Sequence, residues 1–379
     1  MLRRCDGTVL DRGLVLTFPA PASATGEDVS ELHLHGGPAV IAAVLDALTA
    51  LPDVRLADAG EFTRRAFDNG RLDLTQVEGL ADLLSATTEA QRAQATAQME
   101  GALAKHGAEW RERLLNVLAL IEATIDFADE SDVDAEIDAV DVETKDVREE
   151  IQSTLSQAAH GERVRDGLVI VLAGAPNVGK SSLLNALTRR EAAIVSPYAG
   201  TTRDMIDVQL DLNGVPVTLV DTAGLRHSFD PIEAAGVARA RARADTADLV
   251  LLLSDRQEWS GPGQRVRTKI DLSPDRGDIP DVLAISARTG EGIGALVAWL
   301  KAWAGSQLGR GETALVTQAR QREALEQAAE RLVDAVVQKN AVLKAEAIRL
   351  ALRALGRLAG VVDVEDVLAT IFGRFCIGK

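Results

Sequence analysis

The residues of this sequence with the clearest chemistry are Gly174–Ser181, which read GAPNVGKS. They fit the spacing G-x4-G-K-S, directly after an apolar stretch and before SLLNALT, which has the composition of a helix. Glycines at these places let backbone N–H groups close around phosphates, and the N-terminus of the following helix adds positive potential. Lys180 would reach the outer phosphates, and Ser181 would ligate Mg²⁺. The stretch therefore predicts a loop that binds the phosphates of a nucleotide.

Three further motifs follow along the chain and point to guanine as the base. DTAG (Asp221–Gly224) ends a strand-like stretch, and its carboxylate would hold the Mg²⁺ shell through water. TKID (Thr268–Asp271) comes next, and then ISAR (Ile285–Arg288). The Asp271 carboxylate can accept hydrogen bonds from N1–H and the exocyclic amine of guanine, whereas adenine cannot supply that pair and would leave polar groups unpaired. The motifs in this order predict a GTPase with a Ras-like P-loop G domain.

Two positions depart from the usual GTPase pattern. Thr268 stands where most GTPases have Asn, so a hydroxyl replaces an amide. We expect a looser grip on guanine from this change, while Asp271 still selects the base. Leu225 stands where Ras-like switches place the Gln that orients the attacking water, and leucine cannot orient water. Either GTP is hydrolysed poorly, or another group does this work.

Asn177 and the segment Ser196–Asp204 (SPYAGTTRD) suggest such a group. A monovalent cation, held by the Asn177 amide and by oxygens of this segment, could lie against the phosphates and stabilise developing charge. The alternative is that Asn177 is an ordinary loop residue and the segment a mobile switch. The residues alone leave both interpretations open.

The stretch that must position these motifs alternates between strand-like and helix-like sequence. Between residues 166 and 304 this alternation predicts a mainly parallel sheet covered by helices on both faces. The dipeptide Asn213-Gly214 is a strong hairpin signal and predicts one antiparallel pair at the edge of the sheet.

The sequence on either side of this stretch is helical. The face formed by Leu114, Leu118, Ile121 and Ile125 predicts a long helix, and the acidic stretch 126–141 is predicted to be a solvated turn. Since the termini of a domain usually lie close together, we predict one helical domain split by the inserted α/β domain. Short strands and one helix precede it. The predicted domains are residues 1–70, 71–165 and 306–379, with the G domain at 166–305.

Composition excludes several classes of protein. The net charge of −16 over 379 residues argues against broad coating of nucleic acid, but leaves room for an RNA shared with a partner protein. Cys5 and Cys376 are too few for a disulfide framework, and no apolar stretch is long enough to span a bilayer, which favours a cytoplasmic protein. The terminal FCIGK places Cys376 where a prenylation box has its acceptor, but Gly378 and Lys379 do not fit that box.

Six stretches of the sequence together resemble one family. They are GAPNVGKSSLLNAL, AAIVSPYAGTTRD, DTAGLR, GEDVSELHLHGG, GEFTRRAFDNGRLDLTQVEGLADLL and FCIGK. They are similar to the MnmE family of tRNA-modification GTPases, also called TrmE, over nearly the whole chain. The resemblance implies an α+β N-terminal domain that dimerises and binds a folate, a split helical domain and an inserted G domain, so that the fold class is α/β plus α.

The resemblance also implies an activity and partners. Family members act with the flavoprotein MnmG to add an aminomethyl or carboxymethylaminomethyl group to the wobble uridine of certain tRNAs. A folate such as 5-formyl-tetrahydrofolate is the expected one-carbon donor. Hydrolysis of GTP is expected to need Mg²⁺ and the potassium-dependent pairing of two G domains. We therefore expect a homodimer, a heterotetramer with MnmG and no association with a membrane.

The resemblance carries the G-domain contacts over by position. Mg²⁺ would be bound by Ser181 and Thr202. Potassium would be bound by Asn177, Ser196, Thr201 and the backbone carbonyl of Tyr198. The residues expected to contact GTP are Asn177, Val178, Gly179, Lys180, Ser181, Ser182, Ser196, Thr201, Thr202, Asp221, Thr222, Ala223, Gly224, Thr268, Lys269, Asp271, Ser286, Ala287 and Arg288.

Further roles follow from the same resemblance. Glu233 matches the acidic residue that orients water, although a carboxylate favoured by a helix N-terminus is the alternative. Glu31, Arg71 and Lys379 match folate-binding positions, and a surface ion pair is the alternative for the first two. Cys376 is the thiol expected to take part in the modification chemistry.

The beginning of the chain departs from the family. Family members start several dozen residues earlier with a Gly-rich segment, so the N-terminal domain is expected to be partial, and folate binding and dimerisation depend on the missing strands. Two other interpretations stay open. One is a GTP-dependent switch or ribosome-assembly factor without modification chemistry, which a basic RNA-binding appendage would favour. The other is a shortened product that only binds nucleotide.

Overall fold

The computed structural model describes residues 1–126, 133–190, 207–221, 247–256, 263–272, 279–308, 314–360 and 371. The chain divides into two compact units. The first comprises Met1–Leu84, Ala95–Ser153 and Arg320–Lys379, and the second comprises Ser85–Gln94 and Thr154–Ala319. The chain therefore passes from the first unit into the second twice, and each time returns to the first.

The described strands and helices are numbered in chain order. The strands are β1 (Leu2–Arg3), β2 (Val9–Asp11), β3 (Leu14–Phe18), β4 (Val29–His33), β5 (Leu168–Gly174), β6 (Asp207–Leu212), β7 (Val215–Asp221), β8 (Leu249–Ser254), β9 (Gln264–Arg267) and β10 (Val282–Ala284). The helices are α1 (Pro38–Thr49), α2 (Glu61–Asp68), α3 (Leu74–Ser85), α4 (Glu89–Met99), α5 (Ala102–Asp126), α6 (Val133–Ser156), α7 (Ala158–Asp166), α8 (Lys180–Arg190), α9 (Ile293–Leu308), α10 (Ala319–Val337) and α11 (Ala341–Ala359). No helix among the described residues is both long and apolar enough to cross a membrane.

The N-terminal part of the first unit consists of two antiparallel strand pairs and two helices. β1 pairs with β2, and β3 pairs with β4. The short strands predicted at the start of the chain are confirmed, for example as β3 and β4, and the predicted helix is confirmed as α1. Pro38 stands in the first turn of α1, where its missing N–H has no intrahelical partner to lose.

The long helix α5 packs along α11 in the same unit. The buried face of α5 is formed by Leu103, Trp110, Leu114, Val117 and Ile121. The predicted long helix is therefore confirmed, but the predicted face is only partly correct, since Ile125 is 36% exposed. The face of α5 that is buried therefore includes Val117, and it does not extend to Ile125 at the end of the helix.

The acidic stretch 126–141, predicted as a solvated turn, is largely helical. α6 begins at Val133 and runs to Ser156, while residues 127–132 lie outside the described part of the chain. Asp141 lies in this helix and accepts a hydrogen bond from the ammonium of Lys344, whose side chain is buried. An acidic side chain that neutralises a buried ammonium has a structural partner, so the prediction of a solvated turn was wrong here.

A buried ion pair joins two of the three lengths of chain that form the first unit. Glu78 on α3 is 2% exposed and accepts two hydrogen bonds of 2.8 Å from Arg320 on α10. Gln321 donates a third hydrogen bond of 2.8 Å to the same carboxylate. Arg320 also donates to the carbonyl oxygens of Arg357 and Leu358 at the end of α11. One carboxylate thus links α3 to α10 and, through Arg320, to α11.

The second unit contains a sheet whose six described strands have the order β10-β9-β8-β5-β7-β6. Neighbours are parallel except for the edge pair β6 and β7, so the predicted parallel sheet is confirmed. The predicted hairpin is also confirmed, because Asn213 (φ 63°) and Gly214 (φ 88°) form a two-residue turn between β6 and β7. Positive φ at both positions is the geometry that Asn-Gly accepts readily.

The core of the second unit lies between the sheet and its helices. Fully buried side chains of β5, such as Leu172, pack in one cluster with Leu183 and Leu187 of α8 and with Leu296 and Leu300 of α9. The short strand β9 is the element that periodicity did not reveal. Its sequence QRVR has a single apolar residue, so it carries no strand signal of its own, and its pairing between β8 and β10 decides its conformation.

Candidate functional site

The nucleotide motifs are brought together at one edge of the sheet. The phosphate loop follows β5, DTAG begins with the last residue of β7, TKID follows β9 and ISAR follows β10. The register aligns the ends of these strands, since Gly174 pairs with Leu253 on β8, and Ser254 pairs with Arg267 on β9. In open parallel sheets this carboxyl edge is where ligands bind. The topology therefore assembles the motifs that the sequence placed far apart.

The backbone of the phosphate loop requires glycine or asparagine at three positions. A Cβ atom on Gly174 would lie 2.4 Å from the carbonyl oxygen of Leu253, so no side chain fits there. Asn177 has φ 63° and Gly179 has φ 112°, both in the left-handed region that favours glycine and, less strongly, asparagine. Successive residues of this kind turn backbone N–H groups toward one point, as an anion requires.

Lys180 places its charge inside this loop. The side chain is buried, and its Nζ atom donates to the carbonyl oxygens of Gly174 (2.9 Å) and Ala175 (3.1 Å). Because Lys180 is also the first residue of α8, the ammonium and the helix N-terminus provide positive potential at the same place. Ser181 follows on the first turn of α8 and carries a hydroxyl oxygen, the kind of ligand that Mg²⁺ prefers. The residues present therefore fit a phosphate chain with its metal ion.

Thr268 connects TKID (Thr268–Asp271), the predicted base-binding motif, to the phosphate loop. Its hydroxyl is buried and donates a 2.8 Å hydrogen bond to the carbonyl oxygen of Val178, which is itself 2% exposed. Its backbone N–H donates to the carbonyl oxygen of Ser254 at 2.9 Å. The hydroxyl that replaces the usual amide is thus directed at the phosphate loop and holds the two loops together.

Replacing Thr268 with Val is expected to weaken nucleotide binding. Val keeps the shape of Thr but leaves the buried carbonyl oxygen of Val178 without its donor, and such a loss costs about 1–3 kcal/mol, which corresponds to about 5- to 150-fold in affinity if it falls on the nucleotide-bound state. Titration calorimetry with GDP measures the change. Thr268→Ser, which keeps the hydroxyl, is the matched control, and a Val variant that binds as tightly as the parent would contradict the linking role.

The carboxylate of Asp271, which the sequence predicts to accept from guanine, is held in place by a serine. Ser286 is fully buried, and its hydroxyl donates a 2.7 Å hydrogen bond to Oδ1 of Asp271. The same hydroxyl accepts from the backbone N–H of Thr289 at 3.1 Å, so its orientation is determined from both sides. Asp271 itself is only half-buried, which leaves the carboxylate accessible to a ligand. The hydrogen bond from Ser286 to Asp271 therefore joins ISAR to TKID.

A cavity of about 460 Å³ adjoins these motifs. It is lined by Ser182, Asn185, Ala186 and Arg189 of α8 and by Ala287 and Arg288 of ISAR. Ser182, Ala287 and Arg288 were predicted to contact the nucleotide, whereas Asn185 and Arg189 were not. Helical spacing is the signal that could have identified Asn185 and Arg189, because residues three and seven positions after Ser182 lie on the same face of a helix.

Asp255 is a further residue that sequence reasoning missed. It follows the last residue of β8 directly, and its carboxylate accepts a 2.9 Å hydrogen bond from the ammonium of Lys269. This neighbour lowers the pKa of Asp255 below its ordinary value, so the carboxylate is charged at neutral pH. An aspartate at the carboxyl end of an apolar strand is the signal that could have identified it.

Several predicted site residues lie outside the described part of the chain. They are Ser196, Tyr198, Thr201 and Thr202 of the cation segment, Thr222, Ala223 and Gly224 of DTAG, Leu225, Glu233, Cys376 and Lys379. Asp221 is described only as the last backbone position of β7. Their predicted roles stay predictions.

The two described folate-site candidates, Glu31 and Arg71, are both exposed in the first unit. Glu31 on β4 lies 3.1 Å from the ring nitrogen Nε2 of His33, and no ion pair joins it to Arg71 within the described residues. The stem of Arg71 lies against Gly26, where a Cβ atom would come within 3.2 Å of the Arg71 Cγ atom. Glu31 thus has a surface partner in His33, and folate binding by Glu31 and Arg71 stays a prediction.

Comparison with known proteins gives consistent matches along the whole chain. A family model described as the MnmE helical domain matches residues 74–376, and one described as the N-terminus of the GTP-binding protein TrmE matches residues 1–71. The tRNA modification GTPase MnmE of Rhodopseudomonas palustris strain CGA009 is 51% identical over 100% of this chain and 88% of its own. The same-named protein of Azorhizobium caulinodans is 54% identical over 98% of this chain and 87% of its own.

Among solved structures, the G domain of the T. maritima FeoB iron transporter is 27% identical over 36% of this chain and 98% of its own, with a TM-score of 0.27.

Proposed function

This chain belongs to the MnmE family of tRNA modification GTPases, and we propose that it hydrolyses GTP in a potassium-activated reaction that serves the modification of the wobble uridine of tRNA. As a member of this family it is a GTP hydrolase. The observation that supports the proposal most directly is the phosphate loop, whose left-handed backbone at Asn177 and buried Lys180 are joined through Thr268 to the base-binding motif.

In the proposed reaction the described residues bind and orient the nucleotide. Backbone N–H groups of the loop and the Lys180 ammonium hold the phosphates, and Asp271 selects guanine through its N1–H and amine. Ser181 and Thr202 would bind Mg²⁺, and Asp221 would hold the metal shell through water. The metal ion supplies neutralisation of the charge on the phosphate oxygens.

The proposed hydrolytic step lacks the usual glutamine, since Leu225 occupies its position. Glu233 would orient the attacking water in its place. Asn177, Ser196, Thr201 and the carbonyl of Tyr198 would hold potassium, which stabilises the charge that develops on the phosphates. In support, the side chain of Asn177 is exposed on the phosphate loop, where it is free to reach an ion.

The remaining parts of the proposal concern partners and the modification itself. A homodimer would bring two G domains together, and a heterotetramer with MnmG would act on tRNA in the cytoplasm. Glu31, Arg71 and Lys379 would bind 5-formyl-tetrahydrofolate or a related folate, with Arg71 offering a cation to the folate carboxylates. Cys376 would contribute its thiol to the modification chemistry.

Potassium is expected to accelerate GTP hydrolysis by this chain about 10²-fold over sodium at equal ionic strength, because removal of one preorganised charge at such a site costs on the order of 10²–10³ in rate. The measurement is the release of inorganic phosphate from GTP in KCl and in NaCl. Equal, slow rates in both salts would contradict the potassium-activated reaction.

The variant Asn177→Gly is the matched test of the ion site. Glycine adopts φ 63° without strain, so this change removes the amide and leaves the path of the loop unaltered. The variant is expected to bind GDP like the parent but to hydrolyse GTP in KCl only as fast as in NaCl. A variant that keeps its activation by potassium would rule out Asn177 as an ion ligand.

A further inference from the structure

The ion pair between Lys269 and Asp255 is unusual in its backbone setting. Lys269 has φ 55°, a conformation that residues other than glycine seldom adopt and that the surrounding structure must maintain. Its ammonium lies 2.9 Å from Oδ2 of Asp255, and the two side chains are 35% and 33% exposed. Exposed ion pairs of this kind contribute little to folding, so stability alone does not account for this arrangement.

The backbone around Asp255 is held on both sides. The carbonyl oxygen of Ser254 accepts from the N–H of Thr268 at 2.9 Å, and the hydroxyl of Ser254 accepts from the N–H of Arg256 at 3.2 Å. The Asp255 carboxylate is therefore presented from a defined position at the end of β8. It can act as a stationary partner for the longer and more flexible lysine side chain.

Three side chains of the base-binding motif thus have separate anchors in three different parts of the unit. Thr268 is tied to the phosphate loop, Lys269 to the end of β8 and Asp271 to Ser286. The partners of Thr268 and Asp271 are Val178 and Ser286, which both lie in sequence motifs. Asp255 lies in none of these motifs. The same physical role, fixing a binding side chain before the ligand arrives, applies to all three.

Lys269 needs such an anchor because of the charge that binds nearby. A free ammonium on a flexible stem would be drawn toward the phosphates, away from the base that Asp271 holds two residues further on. When its ammonium is paired with Asp255, the methylene stem of Lys269 is held in a defined place two residues before Asp271, and a stem held there can cover the apolar face of a bound base. The ordering of this side chain then costs nothing at the moment of binding.

We propose that Asp255 is a positioning residue for guanine nucleotides, which acts by holding Lys269 beside the base. This inference rests on the proposed function, since it refines the same binding site. It assigns to Asp255 no direct contact with the nucleotide. Its effect is therefore expected to pass entirely through Lys269.

The test is a double-mutant cycle on the full chain with a fluorescent N-methylanthraniloyl GDP as the probe. Asp255→Asn and Lys269→Met are each expected to raise the dissociation rate of the probe about tenfold, which lies within the range of coupling between contacting residues. The double variant is expected to match Lys269→Met alone within a factor of about two. Asp255→Glu, which keeps the charge, is expected to recover part of the loss, and KM for GTP should rise by more than kcat falls.

Asp281→Asn is the matched control, because it removes the same charge from an exposed position in the same unit and Asn tolerates its φ of 61°. Unchanged probe release from Asp255→Asn, or losses that add in the double variant, would overturn the inference while leaving the proposed function intact. A parent chain that neither binds the probe nor hydrolyses GTP would overturn the proposed function and this inference with it.

Discussion

Replacing Asp271 with Asn is expected to lower kcat/KM for GTP about 10⁴-fold, since a site built to pair with polar groups of its ligand rejects a mismatched one by 10⁴–10⁵. The carboxylate accepts from both N1–H and the amine of guanine. Asn offers one acceptor and turns its own N–H toward the second donor. Two donors then face each other without an acceptor in a partly desolvated site.

The same substitution is expected to favour xanthine nucleotides. Xanthine carries a carbonyl where guanine has its amine, so the Asn amide can donate to that oxygen while its own oxygen accepts from N1–H. The Ser286 hydroxyl, 2.7 Å from Oδ1 of Asp271, can still donate to the Asn oxygen. Steady-state hydrolysis of GTP and XTP by the parent and the variant measures the switch, with Asp281→Asn as the control for loss of charge.

A variant at Asp271 that still prefers GTP over XTP would show that another group reads the base. Reduced hydrolysis of both nucleotides to the same extent would also contradict the assignment, because it would reflect damage to the loop rather than a change in pairing. Both outcomes are separable from unfolding by the thermal midpoint of the variant.

Glu78→Ala is expected to destabilise the first unit by about 3–5 kcal/mol, the usual cost of removing one partner from a buried ion pair. The substitution leaves the Arg320 guanidinium and the Gln321 amide without the carboxylate that each now contacts at 2.8 Å. Glu78 is 2% exposed, so water cannot readily replace the lost acceptor. The effect should spread to α11, whose last carbonyl oxygens share Arg320.

Urea unfolding followed by the fluorescence of Trp110 measures this effect. Trp110 is the one tryptophan that the sequence places in the first unit, so a background in which Trp259, Trp299 and Trp303 are Phe isolates its signal. Glu122→Ala is the control, since it breaks a pair with Arg349 whose side chains are more than two-fifths exposed, and we expect less than about 1 kcal/mol from it. Equal losses from the two variants would refute a special role for Glu78.

The sequence alone determined the kind of site and much of the sheet. The phosphate loop, the hairpin at Asn213-Gly214 and the strand β5 follow from patterns in which each residue acts on near neighbours: glycine spacing, positive φ and an uninterrupted apolar run. Such short-range signals do not depend on what the rest of the chain does. Each nucleotide motif is recognisable by itself, and their order along the chain was enough to indicate a guanine nucleotide.

Tertiary structure decided which groups meet across long separations. Thr268 donates a hydrogen bond to Val178, which is 90 residues away in the sequence, and Arg320 donates to Glu78, which is 242 residues away. No local sequence pattern indicates either pair. The strand β9 and the ion pair of Asp255 with Lys269 likewise exist because the parallel sheet places β8 beside β9. A pattern along the chain specifies conformation, whereas the partner of a polar side chain depends on which strand or helix the topology places next to it.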